Sequence, residues 1–93
     1  MYVDDATRLR HMRDAAAEAV RFAEGKTRAD LDADRQLVLA LVKCIEIVGE
    51  AASGVSAAMR ERRPDVPWRA IVAMRNPSYT ATMRSTSTAF GTR

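Results

Sequence analysis

A single wide apolar helix constrains this chain more than any other feature. Leu37, Leu41, Cys44, Ile45 and Val48 recur at helical spacing, and Val38, Val42 and Ile47 widen the stripe. A band this broad calls for contact on two sides, so the segment from about Asp32 to Ser53 is expected to pack between neighbours. Gly49 lies inside the run, where glycine costs a helix roughly 0.5–1 kcal/mol relative to alanine. Its position points to close backbone approach by a neighbouring helix or by a second copy of the chain. Gly54 marks the end of the run.

The flanking sequence offers those neighbours. Asp4 or Asp5 can cap a helix whose apolar positions Leu9, Met12, Ala16, Ala19 and Val20 follow the same period, and Gly25 ends it. Lys26 to Asp30 reads as a polar link. Ser56 to Arg63 reads as a short basic helix stopped before Pro64, and Pro67 at a first helical position opens a helix through Trp68, Ile71, Val72 and Arg75. Pro77 would remove a hydrogen bond and clash with the preceding turn, so the periodic signal stops there. From Ser78 onward Ser and Thr dominate without sustained period, which reads as a frayed or disordered tail. The expected fold is all-α, an up-and-down bundle of about four helices over residues 4–76, followed by an aberrant tail over 77–93.

Composition narrows the functional classes. Hydrophobic residues make up 47% of the 93, yet two Phe, two Tyr and one Trp supply all the aromatic packing, which suits an Ala/Leu/Val/Arg-rich helical domain and not a β-sandwich. So short a chain buries a modest share of its surface, and a homodimer is a natural expectation. One cysteine excludes an internal disulfide framework, and no Cys/His cluster stands at zinc-ligand spacing, so neither metal nor cofactor is implied. The acidic start Met1-Tyr2-Val3-Asp4-Asp5 does not resemble a signal peptide, and no stretch nears the roughly 18 apolar residues of a membrane span. A reducing cytoplasm is the expected compartment. The net charge of +3 is weak support for a polyanionic partner, because residues 1–76 carry 13 basic and 12 acidic side chains and the remaining excess lies in the tail.

Three separated segments carry a family likeness. Arg8-Leu9-Arg10-His11-Met12, the run Leu39 to Ala52, and Val66-Pro67-Trp68-Arg69 leading into Ile71-Val72-Ala73-Met74-Arg75-Asn76 together resemble the HepT family of HEPN ribonucleases. The likeness spans residues 4–76, about four-fifths of the chain. It implies a HEPN-type helical toxin of a type VII toxin-antitoxin pair. Such a toxin is a metal-independent ribonuclease acting on RNA or tRNA, working as a homodimer with a cleft shared between protomers, and paired with an MNT-type nucleotidyltransferase antitoxin. The family signature is Arg-Asn, three further residues and a His, often continuing Gly-Tyr. Arg75 and Asn76 match its beginning, but Thr80 stands where the histidine belongs, and Ala81 and Thr82 replace the Gly-Tyr.

A shifted reading frame accounts for that departure. One back-translation with largely GC-rich codons, read one base earlier from the end of codon 77, can give LVHGYDEVDFDSVRD, which restores His-Gly-Tyr at positions 80 to 82. We therefore expect a single-base deletion near codon 77, which sequencing of the encoding DNA checks directly. By resemblance Arg75 holds the RNA phosphate, since its planar fork meets two phosphate oxygens, and Asn76 orients it or supports the cleft. The absent histidine would move the 2′-hydroxyl proton, so this copy is expected to be catalytically dead or nearly so. The antitoxin's modification target, the family tyrosine, is missing too, and Tyr79 is not a substitute for it.

Plainer readings stand beside these. Arg75 also fits a solvated cation at a helix end, and His11 a surface residue. Cys44 reads as a buried, inert thiol and Trp68 as core packing. Glu46 and Glu50, four apart, border the cleft or are simply solvated, with solvation slightly favoured. Arg60, Arg62 and Arg63 form a basic patch that contacts RNA or nothing, and Leu41, Ile45, Val48 and Gly49 are candidates for the dimer interface. The rival class is a non-enzymatic helical dimerisation or adaptor module that binds a partner protein through the wide second helix.

Overall fold

In the computed structural model, which describes residues 4–78 and 81, four of the five helices begin at a side chain that caps them. Asp4 caps α1 (Asp5–Ala23), its carboxylate accepting from the Thr7 N–H at 2.8 Å. Gly25 follows in the left-handed region at φ 73°, a conformation that glycine adopts without a Cβ penalty. Thr27 and Asp30 then form a reciprocal capping box at the start of α2 (Arg28–Ala33). Asp34, extended at φ −116° and ψ 94°, breaks the chain from α2 and caps α3 (Arg35–Ser53) through the Leu37 N–H at 3.1 Å. Ser56 caps α4 (Ala57–Arg62), and Pro67 precedes α5 (Trp68–Ala73).

The described chain is all-α, as expected, with five helices instead of about four. The additional one is α2. It begins inside the stretch read as a polar link, and the wide helix starts three residues later than expected, because Asp34 resets the backbone between them.

α3 is the axis of the fold. Leu37, Val38, Leu41, Val42, Cys44, Ala51 and Ala52 of this one helix are buried, while α1 contributes only Ala15 to the fully buried set. α1 packs along one side of α3 and α5 along another, so the two-sided contact implied by the wide stripe is met within one chain. α1 and α3 run antiparallel. The start of α1 meets the end of α3, where the Ser56 N–H and hydroxyl donate to the two oxygens of Asp5 at 2.9 and 2.6 Å. Those donors hold the Asp5 carboxyl below its ordinary range. Gly54 lies beneath the Arg8 guanidinium, which a Cβ there would strike.

Two packing expectations are corrected. On α1, Leu9, Met12 and Ala19 are half-buried as expected, but Ala15 is the buried residue whereas Ala16 is exposed and Val20 is 68% exposed, so the covered face is narrower and turned toward Ala15. Trp68 is only half-buried, because its indole N–H donates to the Arg63 carbonyl at 3.0 Å and holds the ring at the periphery. Cys44 is buried with a free thiol, and burial pushes that thiol up from its ordinary value. Among the described residues no helix is long and apolar enough to cross a membrane.

Candidate functional site

The candidate site forms where α5 ends against the C-terminal half of α3. Sequence reading runs the last helix through Arg75 and Asn76, but α5 closes at Ala73. Met74, Arg75 and Asn76 wind on in a tighter turn, their N–H groups donating three residues back to Ile71, Val72 and Ala73 at 3.0, 3.2 and 3.0 Å. The cause is Pro77, which disfavours α conformation in the residue before it. Pro77, Ser78 and Ala81 are nevertheless helical. Asn76 caps that resumption, its side-chain oxygen accepting from the Ser78 N–H at 3.0 Å and the Ser78 hydroxyl at 2.7 Å. Of the tail over 77–93 expected to be frameshifted and poorly ordered, Pro77, Ser78 and Ala81 are thus helical, and its other residues, Thr80 and Thr82 among them, lie outside the described residues.

Gly49 seats this turn. A Cβ on Gly49 would stand 2.5 Å from the Arg75 backbone nitrogen and 2.9 Å from the Ile71 carbonyl oxygen, closer than side-chain carbons tolerate. The glycine therefore serves approach by α5 of the same chain. Of the four residues expected at a dimer interface, Leu41 and Gly49 are buried inside their own subunit, while Ile45 and Val48 are half-buried.

The close approach puts the Arg75 side chain at a pocket of about 560 Å³ lined by Glu50, Val72, Ala73, Asn76, Pro77 and Arg75 itself. The Arg75 guanidinium is not in the apolar core. It is 49% exposed, and its Nη1 lies 3.7 Å from Oε2 of Glu50, which is 70% exposed. Glu50 is solvated, as the favoured expectation has it, and it is also the counter-charge of the motif arginine. Its signal was its place directly after the contact glycine. Glu46, one turn earlier, is half-buried.

The other arginines divide. Arg60 donates from Nε to the Val55 carbonyl at 3.1 Å and from Nη2 to the Ala52 and Ser53 carbonyls at 3.0 and 3.2 Å, and it stands 5.9 Å over the Trp68 ring. It is the cation that satisfies the carbonyl end of α3. Arg63 forms a two-pronged pair with Asp65 at 3.1 and 2.9 Å, which holds the Asp65 carboxyl down and the Arg63 guanidinium up. Arg62 is exposed beside a shallow apolar groove that includes Leu9, Met12, Met59 and Trp68. The three arginines are therefore not one surface of equivalent cations. His11 is exposed on α1. Among the described residues no group of three or more His, Cys, Asp or Glu is placed to hold a metal ion.

Comparison with known proteins converges on one family. Residues 12–77 match the HepT-like family, described as Ribonuclease HepT-like. A Thermococcus cleftensis protein provisionally named ribonuclease HepT is 31% identical over 64 residues, covering 64% of this chain and 58% of that protein. A Methanocaldococcus jannaschii protein provisionally named RNase MJ1380 is 27% identical over 63 residues, covering 68% of this chain and 58% of its own length. A third, from Caldanaerobacter subterraneus and provisionally named RNase TTE0752, is 31% identical over 68 residues, covering 73% of this chain and 61% of its own. The chain thus spans about three-fifths of the length of the curated relatives it matches. No solved structure matches it.

Proposed function

Because the chain belongs to the HepT-like ribonuclease family, we propose that it carries the phosphate-gripping half of a toxin ribonuclease site whose proton-handling half is absent. The observation that supports this reading is the Arg75 guanidinium, half-exposed at the edge of a pocket and held there by one loosely placed carboxylate. A permanently charged planar fork in that setting suits a phosphodiester, whose two free oxygens match its donors.

RNA cleavage through the 2′-hydroxyl needs a group to take the 2′ proton and a cation to stabilise charge on the phosphorus oxygens. Arg75 meets the second need. A histidine five residues later meets the first in the Arg-x4-His motif, and Thr80 stands at that position. Threonine does not titrate near neutrality, so the chain as it stands cleaves RNA slower than a histidine-bearing form by about two to four orders of magnitude. Asn76, engaged in capping Pro77-Ser78, supports the turn that carries Arg75. In the full reading the protein is a metal-independent, cytoplasmic type VII toxin, homodimeric, acting on RNA or tRNA and paired with a nucleotidyltransferase antitoxin.

The test compares this chain with a frame-restored form bearing His-Gly-Tyr at positions 80 to 82 and the Arg75→Ala variant of each. Cleavage of RNA by the restored form, lost on Arg75→Ala, is the expected result. A restored form that leaves RNA intact would overturn the nuclease reading and favour a non-enzymatic adaptor. Arg75-dependent cleavage by the chain as it stands would overturn its inactivity. Light scattering reports the dimer, and co-purification reports the antitoxin.

A further inference from the structure

Glu50 faces Arg75 across the pocket, and among the lining residues these two carry the charges. Their 3.7 Å separation lies beyond a hydrogen bond but within ion-pair reach. Glu50 is largely and Arg75 half in water, so the attraction is weak and salt-sensitive, easily exchanged for another anion. The backbone that carries Glu50 is nevertheless fixed. α3 is the most buried element of the fold, the Glu50 carbonyl accepts from the Ser53 hydroxyl at 2.7 Å, and adjacent Gly49 admits the Arg75 backbone.

We propose that Glu50 and an RNA phosphodiester compete for Arg75. Glu50 is then a positioning residue that holds the guanidinium at the pocket until a phosphate takes it over. The inference rests on the phosphate role of Arg75 proposed above. A carboxylate and a phosphodiester each carry one negative charge spread over two oxygens, so both present the same acceptor pair to one guanidinium fork. After the exchange the displaced carboxylate stays within a few ångströms of the bound phosphate, and their repulsion lowers affinity. Glu50 thereby sets how much additional attraction an RNA must bring before Arg75 releases to it.

The measurement is fluorescence anisotropy of the full chain with a labelled single-stranded 2′-O-methyl oligoribonucleotide, which lacks the 2′-hydroxyl needed for cleavage, at low salt. Glu50→Gln keeps the shape and removes the charge, and is expected to tighten binding about two- to fivefold, the range of one exposed ion pair. Arg75→Ala is expected to weaken binding, and adding Glu50→Gln to it to restore little, because the carboxylate acts through the guanidinium. No gain in Glu50→Gln, or an equal gain with Arg75 absent, would overturn the proposal. Unchanged affinity in Arg75→Ala would instead remove the phosphate role itself, and this inference with it. The readout is unlike a stability effect, since a variant that loosened the fold would bind less RNA, not more.

Discussion

Arg60 and Arg75 are the same residue type on either side of α5, and the fold uses them in opposite ways. Arg60 directs its donors to the Ala52, Ser53 and Val55 carbonyls and stands over the Trp68 ring, so that it closes the carbonyl end of α3. Arg75 has one carboxylate at a loose distance and half its surface in solvent. The contrast teaches that a guanidinium becomes available to a ligand when its chain segment is fixed through the backbone instead of through the side chain. Gly49 supplies that backbone fixation for Arg75.

The comparison breaks most completely at Gly49. In Gly49→Val the new Cβ meets the Arg75 nitrogen and Ile71 oxygen, backbone atoms that cannot swing aside, so α5 has to move. A loss near the upper end of the roughly 1–3 kcal/mol typical of overpacking is expected in thermal or denaturant unfolding, together with loss of RNA binding. Unchanged stability would mean that α5 does not sit against α3 as described. Next in size is Arg60→Ala, expected to cost about 2 kcal/mol because it strips a charged donor from three half-buried carbonyl contacts. For a domain of this size that is a melting-temperature drop of roughly 10 °C, and RNA affinity measured well below the transition should change little.

The Asp5–Ser56 tie offers a smaller, pH-dependent test. The folded carboxyl lies below its unfolded value, so its contribution is fully present above about pH 3.9 and fades as pH falls through the lower folded value. Asp5→Asn should therefore lower stability near neutrality and flatten the acid limb of a stability profile. An unaltered acid limb would place the tie outside the energetics of the fold. Least affected is the stability of Arg75→Ala, expected within about 0.5 kcal/mol of the parent, since an exposed pair is all it loses. A large loss of stability there would erase the distinction between the two arginines.

Much of this fold is legible from residues in order. Asp4 and Ser56 announce helix starts by their own chemistry, and the Leu37-to-Val48 stripe identifies the helix that others cover. α2 escaped that reading, since six residues give no usable period and a capping box at Thr27 decides it. The buried face of α1 was misjudged for a related reason. With Ala15, Ala16, Ala17 and Ala19 side by side, several phases of the stripe bury similar side chains, and the partner surface chooses among them. At the site, Arg75-Asn76 stood out as the opening of a motif, while Glu50 looked like one solvated acid among several.

The starts of α1 and α4, the central role of α3 and the broken motif after Asn76 were determined by the sequence itself, because capping and periodicity act over three or four neighbouring residues. Which surface Gly49 serves, which arginine is spoken for and which carboxylate faces Arg75 were decided only by tertiary structure. Those pairings join residues far apart in the chain, and their energies depend on distances and exposure that exist only once α5 is seated on α3.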